Sequence, residues 1–228
     1  MTMALLRSFC APKREKTPCR RVFCAGKETK MTSVKTQKLT GLGIFTAIIV
    51  VLQVFATFVK FGPVSITLAL APIIIGAAVY GAAAGAYLGF VFSLVVFIAG
   101  VCGWDGGFTL YLMSLNAVAT TIMIFLKGTA AGYLSGLIYR SLRKKSEKGA
   151  VVVAGVACPC INTGIFLATL FIFLFPALEH FAAGENVVKF ALTGFVGINF
   201  IVELVVNIAL SSVITYIIRL RRKSGKVY

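Results

Sequence analysis

Apolar residues run almost unbroken from Leu39 to Val59, and the run ends at Lys60 and the breaker pair Gly62-Pro63. This predicts one membrane-spanning helix. The next run, Ser65 to Gly100, covers 36 residues, about 54 Å of helix at 1.5 Å per residue. That is too long for one crossing of a hydrocarbon layer of about 30 Å, so the run folds back. Gly81-Ala82-Ala83-Ala84-Gly85 is where a tight turn fits, giving spans over 65–80 and 83–100. Residues 101–108 read as a loop by their glycines. The stretch 109–139 is apolar enough for two spans or for one, and spans over 150–175 and 191–218 follow.

Charge resolves the ambiguity. The chain carries 23 Lys and Arg against 7 Asp and Glu, a net charge of +16. The cations gather in the tail before Leu39, in Arg140, Arg143, Lys144, Lys145 and Lys148, and in Arg219, Arg221, Arg222, Lys223 and Lys226. Cations near span ends mark cytoplasmic loops. One crossing between Gly107 and Tyr139 puts all three clusters on one side; two crossings put at least one cluster outside. The pattern therefore predicts an all-α integral membrane protein, a six-helix transmembrane bundle. Residues 109–126 form its structured outer loop between helices 3 and 4, a loop and half-helix dipping into the bundle, and the fourth span begins at Lys127. Both termini lie in the cytoplasm, and the membrane is the plasma membrane. Residues 1–38 are basic, lack a long apolar core and are expected to be disordered, 39–219 form the membrane domain, and 220–228 are a basic tail. With 59% hydrophobic and 13% charged residues, against about a quarter charged in soluble domains, the charge indicates topology and not a nucleic-acid partner.

Of the acidic residues only Glu203 lies deep in a predicted span, where a carboxylate costs about 2.5 kcal/mol or more unless it is paired or faces a cavity. Asn199, Glu203 and Asn207 recur every four residues and share one helix face, with Ser211 on the same stripe. The stripe is either the polar wall of a substrate site or a hydrogen-bonded seam between helices. Pro159, between Cys158 and Cys160, removes a backbone donor one turn from Asn162 and frees a carbonyl, which makes a ligand contact or a plain kink. Lys127 and Asn116 could reach a bound anion or amide from the outer side, although a lysine at a span end also snorkels. Trp104 and Asp105 stand where a lid would lie, and a tryptophan there is equally an interface anchor. Gly81, Gly85 and Gly89, and Gly128, Gly132 and Gly136, form faces that allow close helix approach; Gly43 and Ala47 make a shorter one on the first helix.

Several chemistries are missing. There is no G-x-x-x-x-G-K-[ST] loop for ATP, no HExxH and no GxSxG, and His180 is the one histidine. Six cysteines without histidine partners build no zinc site, so no metal, cofactor or enzymatic activity is expected.

Phe61-Gly62-Pro63-Val64-Ser65-Ile66-Thr67-Leu68, Pro72-Ile73-Ile74-Ile75-Gly76-Ala77, Leu126-Lys127-Gly128-Thr129-Ala130-Ala131-Gly132, Cys158 to Gly164 and Asn199 to Asn207 together resemble the substrate-binding S components of energy-coupling-factor (ECF) vitamin transporters. The resemblance covers about residues 36–220 and is nearest to the pantothenate-like group. It implies six helices and a vitamin or related micronutrient bound near the outer face. It implies as partners a transmembrane coupling protein and two ATPase subunits, with small residues of the first helix, here Gly43 and Ala47, docking the coupling protein. The later helices and outer loops that build the family's site hold Asn162, Asn199, Glu203 and Asn207. Two other readings stand beside this one: a stand-alone secondary transporter coupled to protons through Glu203, and a membrane protein with no transport role.

Overall fold

In the computed structural model, residues 19–58, 60–61, 64–65, 67, 69–182, 184, 186–197, 200–209 and 215–216 are described; side chains are described from Thr36 onward, except at 60–61, 64–65 and 195–196. The chain divides into two units, Met1–Gln37 and Lys38–Tyr228. The first contributes the start of α1, Cys19–Phe58. The helix reaches back from the apolar span to Cys19: once such a span has nucleated a helix, each added residue gains a hydrogen bond at little further cost. Residues 1–18 lie outside the described residues.

Among its described residues the second unit is helical apart from turns and one small antiparallel ladder, β1 (Lys60–Phe61) on β2 (Val64–Ser65), in which Lys60 faces Ser65 and Phe61 faces Val64. The helices are α2 (Leu70–Tyr80), α3 (Ala82–Val101), α4 (Phe108–Leu142), α5 (Glu147–Phe173), α6 (Phe175–Ala182) and α7 (Val187–Phe190). A π-helical stretch, Ala191–Gly197, precedes α8, Phe200–Ala209. Among the described residues four helices are long and apolar enough to cross a membrane: α1 from Thr36, α3, α4 and α5.

Three departures from the sequence pattern have local causes. The second predicted span starts as a helix only at Leu70, because Val64-Ser65-Ile66-Thr67 alternates β-branched and polar residues, a strand pattern. Pro72 then falls in the first turn, where a missing N–H costs nothing. Residues 109–126 are not a loop: α4 is helical on both sides of one break at Asn116, whose φ of −157° and ψ of 95° are extended. The Asn116 side chain accepts from the Ala119 amide at 3.0 Å, so a new helix is capped inside the apolar run. The third is α6, Phe175–Ala182, which lies almost wholly between the predicted spans 150–175 and 191–218. The turn between α3 and α4 does fall over the predicted glycines, with Gly103, Gly106 and Gly107 at φ of 73°, 80° and 83°, where a Cβ is disfavoured. Ser146 caps α5, accepting from Gly149 N at 3.2 Å.

The glycine faces are packing surfaces. A Cβ on Gly85 would strike the Gly132 carbonyl, and one on Gly89 the Gly128 carbonyl, so α3 and α4 touch backbone to backbone. Two apolar clusters flank this contact. One, toward the Arg143–Lys145 turn, includes Ile73, Leu88, Phe92, Ala131, Tyr139 and Val151; the other, toward the α3–α4 turn, includes Leu112, Met123, Ile124, Phe166, Leu170 and Leu178.

Gly89→Ala is expected to destabilise the folded protein by about 1–3 kcal/mol, the usual range for overpacking, because backbone blocks the new methyl. Gly164→Ala, with nothing within 4 Å of the added Cβ, is expected to be neutral or to stabilise by up to about 1 kcal/mol through helix propensity. Thermal unfolding of both variants in detergent checks the contrast; equal melting temperatures would remove the close-contact argument.

Candidate functional site

One cavity lies where the two apolar clusters meet. Its walls come from Gln53 and Thr57 of α1, Thr67 ahead of α2, Phe92, Val96 and Ala99 of α3, Asp105 in the α3–α4 turn, and Phe166 of α5. The α4 wall is split by the Asn116 break: Phe108, Thr109 and Leu112 come from the segment before it, and Met123, Ile124 and Lys127 from the segment after it.

Lys127 is partly buried, and its Nζ lies 5.2 Å from the centre of the Phe166 ring, a cation–π contact that holds the ammonium on the cavity side of α4. Glu203 of α8 is 5% exposed. It is hydrogen-bonded to Thr67 through both the side chain and the backbone of that residue, and it lies within electrostatic reach of Lys127. Its Oε2 has no hydrogen-bond partner among the described residues. The carboxylate thus joins the cavity through Thr67 and Lys127, which both line it. On the other side Glu203 is within reach of Cys158, whose thiol is in hydrogen-bonding contact with Ser135.

Asn162 sits one turn beyond Cys158 and one turn before Phe166, on a single face of α5. It is 5% exposed, and its Oδ1 is unpartnered among the described residues. Asn207 is buried as well, also with an unpartnered Oδ1, but its carbonyl faces Gly155, further from the cavity. A buried polar atom left without a partner costs about 1–3 kcal/mol, so atoms of this kind gathered near one cavity mark where a polar ligand would be gained.

The other sequence-predicted residues separate. Asp105 lines the cavity, but its oxygens accept from Gly107 N at 3.1 Å and Thr109 N at 2.8 Å, so its carboxylate caps α4. Trp104 is exposed and stacks on Phe58, ring centres 6.1 Å apart; it braces the end of α1 and does not line the cavity. Asn116 is exposed and spends its amide oxygen on the helix cap, which takes it out of the cavity. Asn199 lies outside the described residues. Gly43 and Ala47 are on an exposed face of α1. Gln53, Thr57, Thr67 and Thr109 are cavity residues that the sequence reading passes over. Gln53 and Thr57 stand one turn apart in an otherwise apolar run, the same spacing that marks Glu203 and Asn207.

The chain matches the family described as ECF transporter, substrate-specific component, over residues 37–219. It is similar to the pantothenic acid transporter PanT of Lactococcus lactis subsp. cremoris (strain MG1363), at 27% identity over 195 residues, covering 81% of this chain and 94% of that protein. Of the three functional readings of the sequence, membership selects the substrate-binding subunit over the stand-alone transporter and the non-transport protein. A cavity walled by membrane helices and lined by Lys127 and the open Gln53 Oε1 is compatible with such a subunit, and the chain belongs to the substrate-specific components of the ECF transporters.

Proposed function

We propose that this chain captures pantothenate from the outer side of the plasma membrane and presents it to a transmembrane coupling protein driven by two ATPase subunits. The observation that carries the substrate is a cavity lined by Lys127 and the open Gln53 Oε1, with the unpartnered Glu203 Oε2 behind Thr67 and Lys127. Pantothenate has a carboxylate at one end, an amide and two hydroxyls as donors, and a dimethyl-substituted carbon between them. Lys127 suits the carboxylate, Glu203 Oε2 and Asn162 Oδ1 suit the donors, and Phe92, Val96 and Leu112 suit the methyl groups. The name of the Lactococcus relative supports the same ligand.

Six crossings follow if α2, only 11 residues long or about 16 Å, is completed by the extended stretch before it. Non-helical backbone at that depth is tolerated where it lines a cavity, and Thr67 does line one. The sixth crossing is the 191–218 segment that contains α8. The cavity is walled by Asp105 and the start of α4, while Arg143, Lys144 and Lys145 are exposed at the other end of α4. With the basic turn and both termini in the cytoplasm, the cavity is nearer the outside. A single cysteine placed at Ser146, in an otherwise cysteine-free chain, is therefore expected to resist an impermeant thiol reagent in intact cells and to react after permeabilisation. Labelling in intact cells would invert the topology.

Lys127→Met is expected to weaken pantothenate binding by about 1.5–3 kcal/mol, the worth of a hydrogen bond to a charged group, and to leave binding of the alcohol pantothenol unchanged. Glu203→Gln keeps an acceptor for Thr67 and so keeps the fold. Its affinity should fall by about 1.5 kcal/mol through loss of a charge-assisted bond. Calorimetric titration beside thermal unfolding separates the roles: a lower melting temperature with unchanged affinity would make Glu203 a seam between helices.

The exposed Gly43 and Ala47 face is the docking surface for the coupling protein in this reading, since small residues let two helices approach closely. Ala47→Leu is expected to leave ligand affinity intact and to reduce co-purification of the coupling protein. Wild-type yield in that pull-down would place docking elsewhere.

A further inference from the structure

We infer that Gln53 of α1 is a ligand-binding residue whose side-chain oxygen accepts a hydrogen bond from a hydroxyl or amide N–H of the substrate. The inference rests on the substrate reading above and adds to the site a helix that the polar stripe of α8 and the proline-bearing α5 do not include.

Gln53 lines the cavity, is 4% exposed, and its Oε1 has no hydrogen-bond partner among the described residues. Two polar residues that line the same cavity, Thr57 and Asp105, are committed elsewhere. The Thr57 hydroxyl, one turn along the same helix, donates to the backbone carbonyl of Gln53 at 2.8 Å and has no second proton to give. Asp105 offers acceptors only, and it uses them on the amides of Gly107 and Thr109. The adjoining wall from α3 is Phe92, Val96 and Ala99, which hold no side-chain donor. A glutamine that served as a seam between helices would have its oxygen engaged by the facing helix. Here the oxygen is buried on a cavity wall with its acceptor capacity open, at a cost that leucine or methionine at the same place would avoid. A ligand donor in the cavity accounts for the residue.

Lys127 and Gln53 then read different parts of the ligand, Lys127 the carboxylate and Gln53 a donor in the remainder of the molecule. Pantothenate and pantothenol share that remainder and differ only at the carboxylate, so they separate the two residues. Calorimetric titration of the full chain, wild type and Gln53→Met, with each compound is the test, alongside thermal unfolding without ligand. Gln53→Met is expected to melt at or above the wild-type temperature and to bind both compounds at least about tenfold more weakly, by the same factor. Unchanged dissociation constants would overturn the inference. So would a lower ligand-free melting temperature with unchanged affinity, or failure of the variant to fold, since each makes Gln53 a structural residue. If wild-type protein binds neither compound, the substrate assignment falls and this inference falls with it; if wild type binds both and the variant matches it, only the role of Gln53 is lost.

Discussion

The site depends on the backbone contact between α3 and α4. Inside a bilayer, apolar burial gives no drive for one helix to leave lipid for another, so association relies on close packing and hydrogen bonds. Gly85 against Gly132 and Gly89 against Gly128 provide the packing by omitting the Cβ atoms that would hold the helices apart. The contact also fixes a level in the bundle. Lys127 directly precedes Gly128, and Phe92 follows Gly89 by three residues, so side chains reappear on both helices at the same height. The cavity begins there because the helices, pinned below, are spaced by full-sized side chains above.

How far the sequence could be read depended on whether a feature is a matter of pattern or of local backbone. The four-residue spacing of the glycines is a pattern, and it marked the two faces that the structure brings together in the α3–α4 contact. Glu203 and Asn207, one turn apart in an apolar span, are a pattern too, and both prove to be buried. The break at Asn116 is not: hydropathy sees an unbroken apolar stretch, whereas the helix stops because one asparagine oxygen caps the next turn. Trp104 and Asp105 were correctly set in the α3–α4 turn, but which of them faces inward follows from three glycines with positive φ, a geometry composition does not encode. The strand-like alternation at Val64 to Thr67 was legible in principle and was outweighed by the apolar run around it. Gln53 was the most available of the omissions, because an amide amid apolar residues with Thr57 one turn away is the same kind of signal as Glu203 with Asn207.

Charge in the site is unevenly committed. Asp105 is held by two backbone amides, and Glu203 by both the hydroxyl and the backbone of Thr67. Bringing charges out of water is expensive unless hydrogen bonds satisfy them, and these two carboxylates receive such bonds from the protein itself. Lys127 has an aromatic face and a nearby carboxylate, a looser arrangement than either acid enjoys. Asp105 is a fixture of the scaffold, whereas Glu203 keeps one oxygen without a partner among the described residues and Lys127 is held more loosely than either acid.

The low burial of α1 has a different consequence. Only 22% of its apolar window is buried within the protein, against 44% for α3 and for α5. Most of its surface, including Leu39, Ile44, Val51 and Phe55, therefore meets acyl chains whenever no protein covers it. A partner that docks on this helix replaces lipid with side chains of similar polarity, so hydrophobicity contributes little to the exchange. If the coupling protein docks at Gly43 and Ala47, as proposed, what decides the exchange is how well acyl chains pack against these small exposed residues compared with a protein helix. On that proposal the lipid is a competitor for the face, and the thickness and chain order of the membrane enter the assembly equilibrium beside the concentration of the partner.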